Sequence, residues 1–253
     1  MKKIIKNIFS YAGYNISKKS TSSFPIDYSD DEVQIIQTVK PYTMTSHQRI
    51  CTLIRAIQYI VSSDIQGDFV ECGVWKGGSI MAMAMTLKKL NSENREIFLF
   101  DTFSGMSSPT NVDIDWHNKN AKEIFSKSVT EEGNIWCSSN MDEVKKNLSL
   151  IDYPQNKFHF IEGKVEDTLN QIKCVPEKIA LLRLDTDFYE STKSEMEYLF
   201  PKLMKGGILI IDDYGSWRGS KLAIDEYLEK NNLKLFLNRI DETGRLIVIT
   251  NPA

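Results

Sequence analysis

The chain has 253 residues, enough for one large α/β domain with a modest extension. Its hydrophobic fraction of 42% is ample for a core. A net charge of −3 lacks the basic footprint of a general nucleic-acid binder, so no nucleic-acid partner is expected, and no apolar run approaches the roughly 20 residues that span a bilayer.

The chain starts MKKIIKNIFSYAGYNISKK, which begins like a signal peptide. Lys6 and Asn7 interrupt the apolar stretch, however, and no A-x-A cleavage site follows. Ile4, Ile5, Ile8 and Phe9 share one side of a predicted helix, with Lys2, Lys3 and Lys6 beside them. Such an arm suits peripheral contact with a membrane surface or a partner protein. Packing on its own domain or on a second subunit is the simpler reading, and a homo-oligomer, a dimer, is expected. Residues 17–30 are polar and turn-rich and read as a linker, so an N-terminal arm and linker (1–30) precede the main domain (31–253).

Within 31–62, Val33, Ile35, Ile36 and Val39 form one helical run and Ile50, Leu53, Ile54, Ile57 and Ile60 a second. Thr45 or Ser46 is placed to cap the second. From residue 68 short apolar runs alternate with helical stretches. Strands are predicted at DFVECGV, EIFLFDTF, KFHFIEG, KIALLRLDTDF, GGILIIDDY, LKLFLNRI and RLIVITN. Helices are predicted at SIMAMAMTLKKL, MDEVKKNLSLI, DTLNQIK, SEMEYLFPKLM and KLAIDEYLEKN. Near-continuous apolar strands imply a parallel sheet covered on both faces. The last two strands, joined by DETG, should pair antiparallel. The fold class is α/β, a doubly wound Rossmann-like sheet with an antiparallel C-terminal hairpin, the element order of a class I methyltransferase. A polar insertion at about 104–140, containing Pro109, Trp116, His117 and Trp136, reads as a lid. Cys51, Cys72, Cys137 and Cys174 are scattered without a CxxC pair, which argues against a zinc cluster and for free thiols in a reducing cytoplasm.

Ligands of open parallel sheets bind beyond the carboxyl ends of the strands. The first strand ends in Glu71-Cys72-Gly73, and Val74 to Ser79 follow as a glycine-rich turn into a helix, suited to close approach of a ligand. The spacing is not GxGxxG. Asp101 ends the second strand, where an acid accepts from ribose hydroxyls in NAD and S-adenosylmethionine (SAM) sites alike. The third strand ends at Glu162, followed by Glu166 and Asp167, and an acid there suits the amine of an adenine. The next two strands end in Asp185 and Asp187, and in Asp212 and Asp213. Four carboxylates so close repel one another and raise their own pKa values, which a hard divalent cation such as Mg²⁺ relieves. A metal holding adjacent substrate hydroxyls would ready one of them for attack on a methyl group, with a free carboxylate taking the proton. Helix capping is the alternative role for Asp212 or Asp213.

The segments PYTMTS, GDFVECGVWKGGS, LFDTFSGM, LRLDTDFYEST and IIDDYG resemble the macrocin O-methyltransferase (TylF-like) family from about Tyr42 to the C-terminus. That resemblance implies an Mg²⁺-dependent, SAM-dependent sugar O-methyltransferase. It implies SAM contacts at Thr43 and Met44, at Glu71, Cys72, Gly73, Val74, Trp75 and Ser79, and at Asp101, Thr102, Phe103, Ser104 and Gly105. Further contacts are implied at Ser139, Glu166 and Asp167. Asp185, Asp212 and Asp213 are implied as Mg²⁺ ligands and Asp187 as general base. The implied acceptor carries vicinal hydroxyls, on a bacterial surface glycan or a glycosylated natural product. Two competing readings are a glycosyltransferase using Asp185-Thr186-Asp187 as a DxD motif, and a non-catalytic SAM-binding protein.

Overall fold

The computed structural model describes residues 24–131, 133–171 and 175–250. Of the predicted N-terminal arm and linker (1–30), residues 1–23 lie outside them, as does Cys174.

Helices α1 (Asp30–Val39) and α2 (His47–Ser62) open the domain. Ser29 caps α1 in a capping box with Glu32, and Ser46, rather than Thr45, caps α2 by accepting from the Arg49 amide. The sheet strands are β1 (Asp68–Cys72), β2 (Ile97–Asp101), β5 (Phe158–Glu162), β6 (Ile179–Leu184), β7 (Leu203–Ile211), β8 (Asn238–Arg239) and β9 (Arg245–Val248). A two-stranded ribbon, β3 (Val129–Thr130) with β4 (Gly133–Asn134), sits in the predicted lid. The sheet order is β5-β2-β1-β6-β7-β9-β8. The first five strands pair parallel, and β9 enters antiparallel between β7 and β8. The predicted doubly wound sheet with its terminal hairpin is therefore what forms.

Strand alternation divides the core into two layers. On one face Phe69 joins Ile54, Ile57, Ile80 and Met83, from α2 and from α3 (Gly78–Lys89). On the other, Val70, Cys72, Leu182 and Leu209 meet Met196 of α7 (Tyr189–Tyr198) and Ile224 of α8 (Arg218–Lys230). Each fully buried Leu, Ile or Phe contributes roughly 1.5–3 kcal/mol.

Three elements differ from expectation. The helix predicted at SEMEYLFPKLM ends at Tyr198, and Leu203 and Met204 belong to β7 instead, because Pro201 breaks the helix. The strand predicted at 233–240 pairs with β9 only through Asn238 and Arg239. Leu233, Leu235 and Leu237 still turn inward at alternate positions, so the apolar pattern reflects packing at the sheet edge rather than ladder pairing. The helix predicted at DTLNQIK instead starts at Val165 and spans Val165–Thr168 as α6, because Val165 and Leu169 are the side chains buried there.

The insertion is built, not loose. It carries α4 (Ala121–Ser128) and the β3–β4 ribbon, and is followed by α5 (Met141–Leu148). The Trp116 amide donates to the Ser216 carbonyl at 3.0 Å and the Arg218 amide to that of Ile114 at 2.9 Å. Asp113, wholly buried, accepts from the Thr110 amide at 2.6 Å and from the Tyr189 amide at 2.8 Å. The lid is thus fastened to the loop after β7 and to the start of α7.

Candidate active site

At the carboxyl ends of the strands, where β1 lies between β2 and β6, a cavity of about 490 Å³ opens. One end is made by the β1–α3 turn. Gly73 has φ 82°, and a Cβ there would collide with the Asp185 carbonyl oxygen, so only glycine lets this turn pass the β6 end. Trp75 holds the left-handed conformation (φ 47°), which costs a non-glycine residue roughly 1 kcal/mol. The Asp101 carboxylate holds the turn: Oδ2 accepts from the Val74 amide at 2.6 Å and the Trp75 amide at 3.1 Å, and Oδ1 from the Phe103 amide at 2.7 Å.

Thr43, Met44, Glu71, Gly73, Val74, Trp75, Ser79, Asp101, Thr102 and Gly105 all line this cavity. The other expected contacts are placed differently. The side chain of Cys72 faces the α7–α8 layer because it alternates with Glu71. Phe103 is buried in the α2–α3 layer, and Ser104 is exposed. Ser139 is buried and donates to Glu143 at 2.9 Å. Asp167 is exposed, and Glu166 accepts from Ser191 at 3.0 Å. None of these six lines the cavity, although Ser191 does.

Asp185, Asp187, Asp212 and Asp213 line the same cavity. One carboxylate oxygen each from Asp185, Asp212 and Asp213 lies within 4.8 Å of the others, a hard-oxygen donor set that suits a small dication. Burial and the neighbouring Asp212 and Asp213 raise the Asp185 carboxyl well above its ordinary value. Burial, with Asp187 and Asp212, does the same to Asp213. Burial first, then Asp185 and Asp212, push Asp187 up to about 7 against hydrogen bonds from Asp213 and the Trp217 indole. A carboxyl poised there is suited to proton exchange at neutral pH. Asp187 also stands at φ 68°, uncommon for a non-glycine residue.

Sequence reasoning did not assign two cations among these acids. Arg183, only 2% exposed, contacts Glu71, and reaches Asp185 at 2.8 Å and Asp212 at 2.8 Å. It also donates to the Thr45 hydroxyl at 3.0 Å. Arg49 contacts Asp212 and Thr243 and donates to Asp241 at 2.8 Å, tying α2 to the β8–β9 turn and to the acids. An arginine inside the apolar run LLRLD was the available signal, since a buried guanidinium requires partners. Arg49 carries no such signal. Even with both arginines counted, the acids outnumber the cations in this cluster.

An aromatic group adjoins the acids, since Phe188 follows Asp187 in the chain. Trp136 from the lid, Phe188 and Trp217 pack mutually, with ring centroids 5.4–6.1 Å apart, and both tryptophans line the cavity. The described cysteines Cys51, Cys72 and Cys137 are free. No helix among the described residues is long and apolar enough to cross a membrane.

The macrocin O-methyltransferase (TylF) family model matches residues 6–247, extending the resemblance well before Tyr42. The demethyldecarbamoylnovobiocin O-methyltransferase of Streptomyces niveus is 29% identical over 80% of this chain and 74% of its own length. The mycinamicin III 3''-O-methyltransferase of Micromonospora griseorubida is 25% identical over 80% of this chain and 76% of its own. Among solved structures, the O-methyltransferase NovP superposes with a TM-score of 0.74 at 24% identity, over 88% of this chain and 100% of that one. The calicheamicin methyltransferase CalS11 gives 0.59 at 18% identity, over 92% and 99%. These matches decide against the glycosyltransferase reading of Asp185-Thr186-Asp187. The fold is that of the class I methyltransferases, and the chain belongs to the macrocin O-methyltransferase family of SAM-dependent O-methyltransferases.

Proposed function

We propose that this chain methylates a sugar hydroxyl, on a glycosylated natural product or a bacterial surface glycan, and that it does so with Mg²⁺. The observation that carries the proposal is the juxtaposition within one cavity of the Asp101-held turn and the Asp185, Asp212 and Asp213 triad. The relatives named above are O-methyltransferases of demethyldecarbamoylnovobiocin and of mycinamicin III.

Asp185, Asp212 and Asp213 would hold the metal. When bound, the metal would lower the pKa of acceptor hydroxyls and SAM would supply the methyl group. Residues of this chain do the rest. Asp101 holds the turn through the Val74 and Trp75 amides, and Val74, Trp75, Thr43, Met44 and Ser79 line the cavity that would receive SAM. Asp187 accepts the hydroxyl proton at its carboxylate as the acceptor oxygen bonds the methyl carbon and the sulfur–carbon bond breaks. Trp217, donating its indole N–H to Asp187, holds that carboxylate in place. The lid, through Trp136, closes the acceptor side against water. Methyl transfer needs little covalent help, so positioning supplies much of the rate.

Calorimetry with S-adenosylhomocysteine and with a UDP-sugar tests the assignment. Binding of the first and not the second is expected, and the reverse result overturns it. Methyl transfer from labelled SAM to sugar acceptors, with and without EDTA, tests the metal: a rate indifferent to EDTA refutes its role.

A further inference from the structure

Beneath the Asp185-Thr186-Asp187 turn lies a polar layer that the chemistry above does not use. Glu195, on α7, is fully buried. Its Oε1 accepts from the Thr186 hydroxyl at 2.9 Å. Its Oε2 has no hydrogen-bond partner among the described residues. The neighbours are the Cys72 thiol and Glu166, and none of the ion pairs among the described residues includes it. An acid placed so costs stability, which its position must offset.

What Glu195 touches is the middle of the aspartate turn. The left-handed conformation of Asp187 persists only where its surroundings over-determine it. On the cavity side the restraints are the Asp187 amide donating to Asp213 at 3.2 Å and the Trp217 indole. Within the turn, the Phe188 amide donates to the Thr186 carbonyl at 2.8 Å. On the core side, the restraint is the bond from Thr186 to Glu195. The helix bearing Glu195 is itself tied to the β5–α6 end, because Ser191 donates to Glu166.

We infer that Glu195 is a positioning residue, which through the Thr186 hydroxyl fixes the turn that aims Asp185 and Asp187 into the cavity. Its significance rests on the roles proposed for those two aspartates, but its test does not. Burial, with Glu166 adding to it, raises the Glu195 carboxyl well above its ordinary value, and a glutamine there keeps an oxygen able to accept from Thr186.

Hydrogen exchange followed by mass spectrometry on the full chain needs neither metal nor acceptor. In Glu195→Leu the amides of Asp187 and Phe188 should exchange about fivefold faster than in the wild type, the size of effect that one neutral hydrogen bond supplies. In Glu195→Gln they should exchange as in the wild type. Wild-type exchange in Glu195→Leu, or equal acceleration in both variants, overturns the inference. Should Glu195→Leu not fold, Thr186→Val removes the same bond from the other side and is held to the same expectation. Mn²⁺ titration by electron spin resonance runs in parallel, and Glu195→Leu should bind about fivefold more weakly while Glu195→Gln does not. A wild type that takes up no Mn²⁺ refutes the metal reading, and the exchange comparison still decides the part played by Glu195.

Discussion

Replacing Arg183 by Met keeps an unbranched, flexible stem and removes the charge and its hydrogen-bond donors. Arg183 is almost wholly buried and serves Glu71, Asp185, Asp212 and Thr45 at once. Removing one partner from a buried ion pair costs ~3–5 kcal/mol, because the other charge is left without compensation. Asp212 keeps Arg49, so the burden falls on Glu71 and Asp185. Even with Arg183 present, burial pushes Glu71 up to about 7. Without it the carboxyl rises further, so the folded variant holds a proton that the folded wild type has released at pH 8. The variant's deficit therefore grows as pH rises through 7, by about 1 kcal/mol between pH 6 and pH 8. Urea unfolding at the two pH values measures both quantities, and Glu71→Gln in the Arg183→Met background should recover part of the loss. A deficit below about 1 kcal/mol that is equal at both pH values would refute the reasoning.

Asp187→Asn should lower methyl transfer at least ~100-fold while calorimetric affinity for S-adenosylhomocysteine stays unchanged. Asp101→Ala leaves the Val74, Trp75 and Phe103 amides without their acceptor, so that affinity should fall at least ~10-fold. Glu71 and Asp187 both titrate near 7 when folded, above their unfolded values. From about pH 4 to 7 the folded chain therefore binds more protons than the unfolded one. The metal-free melting temperature should fall across that window, and Mg²⁺ should raise it more at pH 8 than at pH 6; equal Mg²⁺ shifts at both would speak against the acid cluster as the site. Asp113→Ala unfastens the lid from Tyr189, and limited proteolysis within 104–140 should accelerate several-fold with circular dichroism unchanged.

Local pattern carried the fold. Apolar runs such as LLRL and ILII need burial on both faces, and a parallel sheet supplies it. Aspartates at the ends of two such runs emerge at one sheet edge once the strands are neighbours, so both the acidic centre and the Asp101 position were legible from spacing. The chain itself determined the element order, the terminal hairpin and the placing of acids at strand ends, since these follow from local periodicity and turn chemistry. Tertiary structure alone decided which side each neighbour faces and which charges meet. Glu71 enters the cavity and Cys72 does not, because adjacent strand residues point to opposite layers. Arg49, 163 positions before Asp212, joins the acids only when α2 packs over the strand ends. Glu195 reads as an ordinary helix acid until the turn above it comes to rest on its carboxyl. Such pairings are long-range, set by packing and electrostatics between elements, and no spacing along the chain encodes them.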